Sequence, residues 1–411
     1  MNQSDRDILR ALAETQMRYA ASPEMKETIR LWKRHGAFNQ ERPMVTLELW
    51  TLESEFLEPR LRCVDPQARE LEAQLLRFLI PFEDFGDDQV VPDFFPVQWR
   101  TWFRLFDQDA GAAINDPRHL GQSFGHLIND LEEDLPKLRP SAWGVDREAT
   151  LRQFALAEET FGDILPARMT MGSLASEPTQ KVVHRMGMEE MCVAVCECPE
   201  AFSELMGRIA DDFTAYFRWL EAENLLLPTE GCSHLAQGSY CYNEELPTAC
   251  DHPLKTTDVW GYMDSQETLV ISPAMFGELV FPCYQRIAAS FGLLSYGCCE
   301  PVHRVWDDYI STLPNLRKVS ISPWCDETFM GERLRGRRIM YHRKPSPNFL
   351  GVGAELDEDG VREHFRKTLL AAQGCTLEIS QRDVYTTTGH PEKARRYIEI
   401  IRECIDRWWK G

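Results

Sequence analysis

The sequence predicts an α/β protein, a (β/α)8 TIM barrel with N-terminal helices and with helical or loop insertions. Three observations point there. Eight short β-rich apolar runs recur along the chain, amphipathic helical stretches separate most of them, and 411 residues are enough for one large barrel with extras.

Residues 1–40 read as an N-terminal helical segment of two helices. Leu9, Leu12, Met17 and Tyr19 share a face of the first, and Ile29, Leu31 and Trp32 mark the second. The barrel is expected over 41–411. Its strand candidates are Met44–Trp50, Val90–Val97, Leu165–Gly172, Asp258–Asp264, Leu293–Cys298, Arg317–Pro323, Arg338–Lys344 and Thr376–Ser380. Between them, Met206, Ile209, Phe213, Phe217 and Leu220 recur at helical spacing, as do Phe276, Leu279, Val280, Tyr284 and Ile287. A last helix opens near Pro391, where a missing N–H costs nothing, and carries Tyr397, Ile401, Cys404, Ile405 and Trp408 on one stripe. Two stretches exceed the minimal unit: 98–160, expected to be a helical insertion, and 224–257, a Cys-, Gly- and Tyr-rich loop or hairpin.

Charge and composition narrow the function. With 45 basic and 65 acidic residues the net charge is −20, which argues against a nucleic-acid binder and against docking on anionic lipid. No run reaches 18 apolar residues, so no membrane span is expected. The polar start without an apolar core of a signal peptide, and 13 cysteines read as free thiols, predict a cytoplasmic protein.

In a barrel, chemistry sits at the C-terminal ends of the strands. Those ends supply Glu48 and Trp50, then Asp264, Gln266 and Glu267, then Cys298, Cys299 and Glu300, then Trp324, Lys344, Arg382 and Asp383. Other motifs are weaker. Gly121–Gly125 matches G-x-S-x-G but lacks the strand-to-helix setting of a nucleophile elbow. Gly351-Val352-Gly353 lacks a third glycine at dinucleotide spacing. Cys192, Cys196 and Cys198 fall on a helix without a histidine partner. His234 and His252 flank the Tyr-rich loop, either as solvated histidines or as nitrogen ligands.

At these residues a family resemblance emerges. The segment DVWGYMDSQETLVISPAMFGELVFPCYQRI (258–287) resembles the fourth strand and helix of the uroporphyrinogen decarboxylase superfamily. MGMEEMCVAVCECPEAF (186–202) is similar to the helix after its third strand, and YGCCE (296–300) sits where methyl-transferring members carry H-x-C-G. The decarboxylases hold a polyanionic tetrapyrrole through arginines after the first strand, whereas LELWTLESEF (47–56) offers Glu48, Glu53 and Glu55. The resemblance therefore implies the methyltransferase-like branch. The expected activity moves a methyl group from a small-molecule O- or N-methyl donor to a corrinoid on a partner protein. A decarboxylase-like lyase and a non-catalytic ligand-binding barrel are the alternatives.

Methyl-ether demethylating members resemble E-x14-E-x20-H; here those positions hold Glu230, Glu245 and Gln266. Zinc, if bound, is therefore expected on Glu230 and Glu245, and not on Cys298 with Cys375, since Cys375 begins its strand. The catalytic expectation rests on Asp264, Glu267 and Asp383. The substrate pocket is expected from Glu48, Trp50, Gln266, Tyr296, Cys298, Trp324, Lys344 and Arg382. A homodimer is an open possibility.

Overall fold

The protein, described by a computed structural model, is an α/β chain; the structure describes residues 1–107, 112–114, 122–229, 231–249 and 252–410. Two helices, Gln3–Ala20 and Pro23–Gly36, precede the first strand. Asn2 and Ser22 cap them by accepting the backbone N–H of Asp5 and Met25.

In chain order the strands are β1 (Met44–Leu47), β2 (Phe95–Val97), β3 (Arg100–Arg104), β4 (Ala112–Ile114), β5 (Gln122–Phe124), β6 (Ala142–Asp146), β7 (Ala167–Met169) and β8 (Leu174–Ser176). Then come β9 (Trp260–Met263), β10 (Leu293–Tyr296), β11 (Leu316–Ile321), β12 (Met340–Arg343) and β13 (Leu377–Gln381). Seven strands form one parallel sheet in the order β1-β13-β12-β11-β10-β9-β8, so the first and last strands of the chain are neighbours. β2 pairs parallel with β7 in a separate two-stranded ladder. Among the described residues no ladder joins β1 to β2, and residues 170–173 separate β7 from β8. Each of the eight sequence-derived strand segments overlaps one of these parallel strands, and β8, which pairs parallel with β9, falls in none of them.

Side chains alternate across a strand, and here the alternation is sharply chemical. Val45, Leu47, Leu294, Tyr296, Val319, Ile321, Tyr341, Leu377 and Ile379 join the main apolar core with the surrounding helices. Their neighbours Thr46, Ser295, Lys318, Ser320, His342, Glu378 and Ser380 are equally buried but polar. Thr46, Lys318, His342, Glu378 and Ser380 bond to one another or to a loop threaded between the strands. Closed parallel barrels usually carry bulky branched side chains at such positions.

The stretch 98–160 departs from its expected helical form. β3 pairs antiparallel with β6, and β4 with β5; among the described residues the one long helix is Arg147–Phe161. Cross-strand aromatic pairing explains the difference: Phe103 faces Trp143 with ring centroids 6.1 Å apart, and Phe103 stacks on Phe213. The G-x-S-x-G stretch falls on β5, a hairpin strand, so the nucleophile-elbow setting is missing; Gly121 lies outside the described residues. The segment 224–257 is an irregular excursion. Its tight hairpin, 233–242, is held by Leu235 N–H donating to the Ser239 carbonyl, Cys241 N–H to the Ser233 carbonyl, and a bridge between His234 and Tyr240.

Candidate functional site

The hairpin plugs the interior of the sheet. At its tip Gln237 and Gly238 both adopt positive φ, 55° and 80°. Its base lies where the strands begin: Trp260, first residue of β9, donates its indole N–H to the Cys241 carbonyl at 2.9 Å. Its tip reaches the third residues of the strands. Thr46 Oγ1 donates to the Gly238 carbonyl at 2.8 Å, and the Gln237 amide donates to the Tyr262 hydroxyl. Below the tip, Lys318 Nζ donates to Ser239 Oγ at 2.6 Å and to the Tyr240 carbonyl at 2.9 Å, and sits 3.2 Å from Glu378 Oε2. Ser239 Oγ and His35 Nε2 donate to the two oxygens of Glu378, at 2.8 Å and 3.1 Å. Desolvation works against the Glu378 anion, yet Lys318 and the histidines hold its carboxyl well below the usual range.

From the plug a chain of hydrogen bonds climbs to the C-terminal strand ends. Tyr262 takes the Gln237 N–H and donates its own proton to Asp264 Oδ2 at 2.6 Å. The Asp264 carbonyl accepts from Tyr284 at 2.6 Å, which fixes the backbone just past β9. Asp264 Oδ1 is buried and has no partner. Burial, followed by the charges of Glu300, Glu177 and Glu267, raises the Asp264 carboxyl well above its ordinary value. Asp264 thus holds its proton more tightly than an ordinary carboxyl and leaves one oxygen without a partner.

Several of the strand-end residues contact one another beside it. Glu300 ties the ends of β9 and β10 together, accepting from Ser265 N–H at 2.9 Å and from Cys298 N–H at 2.7 Å. Arg382, past β13, donates to Cys298 Sγ at 3.5 Å and pairs with Glu48 at 3.3 Å and with Asp383 at 3.1 Å. Asp383 holds a positive φ of 57°, a conformation disfavoured for an L residue. Lys344 Nζ donates to the Gly297 carbonyl at 3.3 Å; burial lowers its basicity. Burial also raises Glu48, against the pull of Arg382, and the Trp50 indole N–H donates to Glu48 Oε2 at 3.1 Å. Trp50 is 59% exposed and Trp324 69% exposed; with the exposed Tyr385 they lie on segments that follow β1, β11 and β13.

Other expected residues lie elsewhere. Tyr296 is wholly buried in the helix-facing core, 6.1 Å from the Tyr284 ring, with its hydroxyl 2.5 Å from Ser265 Oγ. The strand alternation that brings Ser295 to the polar interior turns Tyr296 away from it. Glu267 takes the Thr179 hydroxyl at 2.8 Å, and Thr179 in turn contacts the Tyr284 hydroxyl at 2.9 Å, so Glu267 braces Asp264 from behind. Gln266 begins the short 3₁₀ turn Gln266–Val270 next to it and is half-buried. Glu245 is remote from Asp264. It pairs with Arg317 at 2.9 Å and Arg338 at 3.0 Å, beside the start of β11 and ahead of β12, because two arginines at the N-terminal strand ends outcompete any approach to the other end. Glu230 lies outside the described residues. Cys375 is at the N-terminal end of β13, with its thiol on the Gly331 carbonyl at 3.4 Å. Among the described residues no group of three His, Cys, Asp or Glu side chains is arranged to hold a metal ion. No helix described is long and apolar enough to cross a membrane.

Sequence reasoning overlooked Gln237, Tyr262, Lys318 and Glu378. The signal that could have found the last two is their place at alternate positions of otherwise apolar strands.

No family model matches the chain, and no curated protein sequence matches it. Among solved structures, a methyltransferase from Methanosarcina mazei superposes with a TM-score of 0.50 at 13% identity, covering 93% of this chain and 98% of that one. That likeness is one of fold.

Proposed function

We propose that this chain is a corrinoid-dependent methyltransferase on a (β/α)8 barrel of the uroporphyrinogen decarboxylase superfamily, with the β2–β7 ladder completing the wall between β1 and β8. It takes the methyl group of a small O- or N-methyl donor at the C-terminal strand ends. The observation that carries the reading is Asp264, whose carboxyl burial raises well above its ordinary value and whose Oδ1 is buried and unpartnered.

A methyl ether or methylamine resists nucleophilic attack because an alkoxide, phenoxide or amide anion leaves poorly. A positioned acid that protonates the leaving atom lowers that barrier. Tyr262 occupies Asp264 Oδ2 and thereby leaves the Oδ1 face as the donor position. Lys344 and Arg382 offset the negative charge of Glu48, Asp383 and Glu300 at the same strand ends. The corrinoid, carried by a partner protein, supplies the cobalt nucleophile that accepts the methyl group. The exposed rings of Trp50, Trp324 and Tyr385 fit a flat, largely apolar macrocycle laid over the strand ends. Glu245 is engaged by Arg317 and Arg338 at the opposite strand ends.

The test is anaerobic incubation of the protein with reduced cobalamin and a panel of methoxyarenes and methylamines, following methylcobalamin by its absorbance. Methylation that depends on one donor class supports the proposal. Failure across the panel, or release of carbon dioxide from a tetrapyrrole acid, overturns it.

A further inference from the structure

Cys298 and Cys299 are adjacent in sequence, and their sulfurs lie 3.6 Å apart at the end of β10. Side chains of neighbouring strand residues normally point to opposite faces. Here Gly297 breaks the strand with φ 100°, and Glu300 pins the Cys298 N–H at 2.7 Å, which brings both thiols to one side. The Cys298 carbonyl is held as well, by Ser320 Oγ at 2.8 Å.

This geometry suits a bridging atom better than a direct bond. A disulfide needs its sulfurs about 2.05 Å apart and its Cα atoms about 4.4–6.8 Å apart, whereas consecutive Cα atoms are about 3.8 Å apart. With the backbone clamped on both sides of Cys298, that closure is strained. A single atom bonded to both sulfurs at about 2.3 Å, the length of a metal–thiolate bond, spans the observed gap at an angle of about 100°. Cys375 and Cys325 each contact a backbone carbonyl instead, and Cys192 and Cys196 lie on the helix Met188–Glu197.

We infer that Cys298 and Cys299 form a vicinal dithiol site that chelates trivalent arsenic compounds. The step is a condensation. An arsenoxide R–As=O accepts the two thiol protons on its oxygen, which leaves as one water, while two S–As bonds form; arsenic stays trivalent and nothing is oxidised. The surroundings favour the attack. The hydrogen bond from Cys298 lowers the Cys299 thiol, and Lys344 and Arg382 add to that effect. Cys299 is half-buried, so an incoming reagent reaches it first, and the more buried Cys298 closes the chelate. The site differs from the methyl-donor position at Asp264, and its occupation does not depend on methyl transfer.

The test uses the reduced full-length protein and phenylarsine oxide. Intact mass should show one tightly held phenylarsenic unit per chain, resistant to excess glutathione and removed by 2,3-dimercaptopropanol. Tryptic cleavage after Arg286 and Arg304 isolates residues 287–304, whose sole cysteines are Cys298 and Cys299, and the arsenic should map there. Cys298→Ser and Cys299→Ser should each weaken retention at least tenfold, while a Cys192→Ser/Cys196→Ser double variant should keep it. Arsenic mapped to another peptide, a unit lost to glutathione alone, or retention unchanged in either serine variant overturns the inference. Because the mapping is done on the unaltered protein, a variant that fails to fold does not rescue or sink it.

Discussion

Lys318 and Glu378 meet inside the sheet, Nζ 3.2 Å from Oε2, with each side chain 1% exposed. The pair sits where a barrel usually keeps branched aliphatic side chains, and it is fully engaged. Ser239, Tyr240, His35 and His342 supply its remaining contacts. Such a pair need not add net stability relative to an apolar replacement of both partners, but removing one partner strands the other.

Lys318→Met should therefore destabilise the fold by about 3–5 kcal/mol, the range for breaking a buried ion pair. Urea denaturation at neutral pH measures it. A loss below about 1 kcal/mol would mean that the interior is wetter than the buried contacts indicate. The double variant Lys318→Met/Glu378→Met should recover much of the loss, because no buried charge remains.

His342 gives the interior an acid limit. Burial lowers it from an ordinary 6.5 to about 3, and its Nε2 lies 2.8 Å from Ser380 Oγ. A depressed histidine favours the folded state while it stays neutral. Its contribution is complete above about pH 6.5, where the unfolded chain is also neutral. It is lost as pH falls from there toward 3, at about 1.4 kcal/mol per unit. His342→Gln keeps a hydrogen-bonding partner for Ser380 and has no proton to gain. Stability measured from pH 7 to 4 should fall less steeply in that variant, and parallel slopes would show that His342 does not titrate across folding.

Asp264→Asn should lower the rate of cobalamin methylation at least about 100-fold, the typical weight of a positioned acid, with little change in stability. The amide still accepts from Tyr262 and still fills the pocket, so the fold has no reason to respond. Because the Asp264 carboxyl is raised, the parent should lose activity as pH climbs through its folded value, while the residual activity of the variant should be flat there. A variant with parent-like rates removes Asp264 from the chemistry.

The strand positions were legible because their outward residues form strict apolar series that pack under helices. The places of Asp264, Cys298, Arg382 and Asp383 at or just past the C-terminal strand ends followed once the strands were located. What stayed hidden is non-local. Nothing near 233–242 announces that its tip will meet Thr46, 192 residues away, or that Ser239 will complete the shell of Glu378, 139 residues on. The placement of Glu245 illustrates the same limit. A spacing match to Gln266 is a one-dimensional statement, and the arginines that capture Glu245 lie 72 and 93 residues downstream. Face assignment was the other gap, since Tyr296 follows a strand's apolar series and belongs to the core.

The plug hairpin makes the final prediction, and two adjacent residues at its tip separate a wedge from a tether. An alanine Cβ at Gly238 would lie 2.9 Å from Ser380 Cβ and 3.1 Å from Thr46 Oγ1, in a backbone at φ 80°. The left-handed conformation costs an L residue about 1–2 kcal/mol, and overpacking adds about 1–3 kcal/mol, so Gly238→Ala should lose about 2–5 kcal/mol. Gln237→Ala removes one hydrogen bond to Tyr262, but it also removes a buried Oε1 that has no partner. Its stability change should stay within about 1 kcal/mol. Its effect should fall instead on methyl transfer, because Tyr262 is then free to turn away from Asp264 Oδ2. Denaturation midpoints and cobalamin methylation rates for the two variants decide the matter. If Gly238→Ala unfolds with the parent's midpoint, the hairpin does not fill the interior. If Gln237→Ala transfers methyl groups at the parent's rate, the chain from plug to Asp264 plays no part in placing the acid.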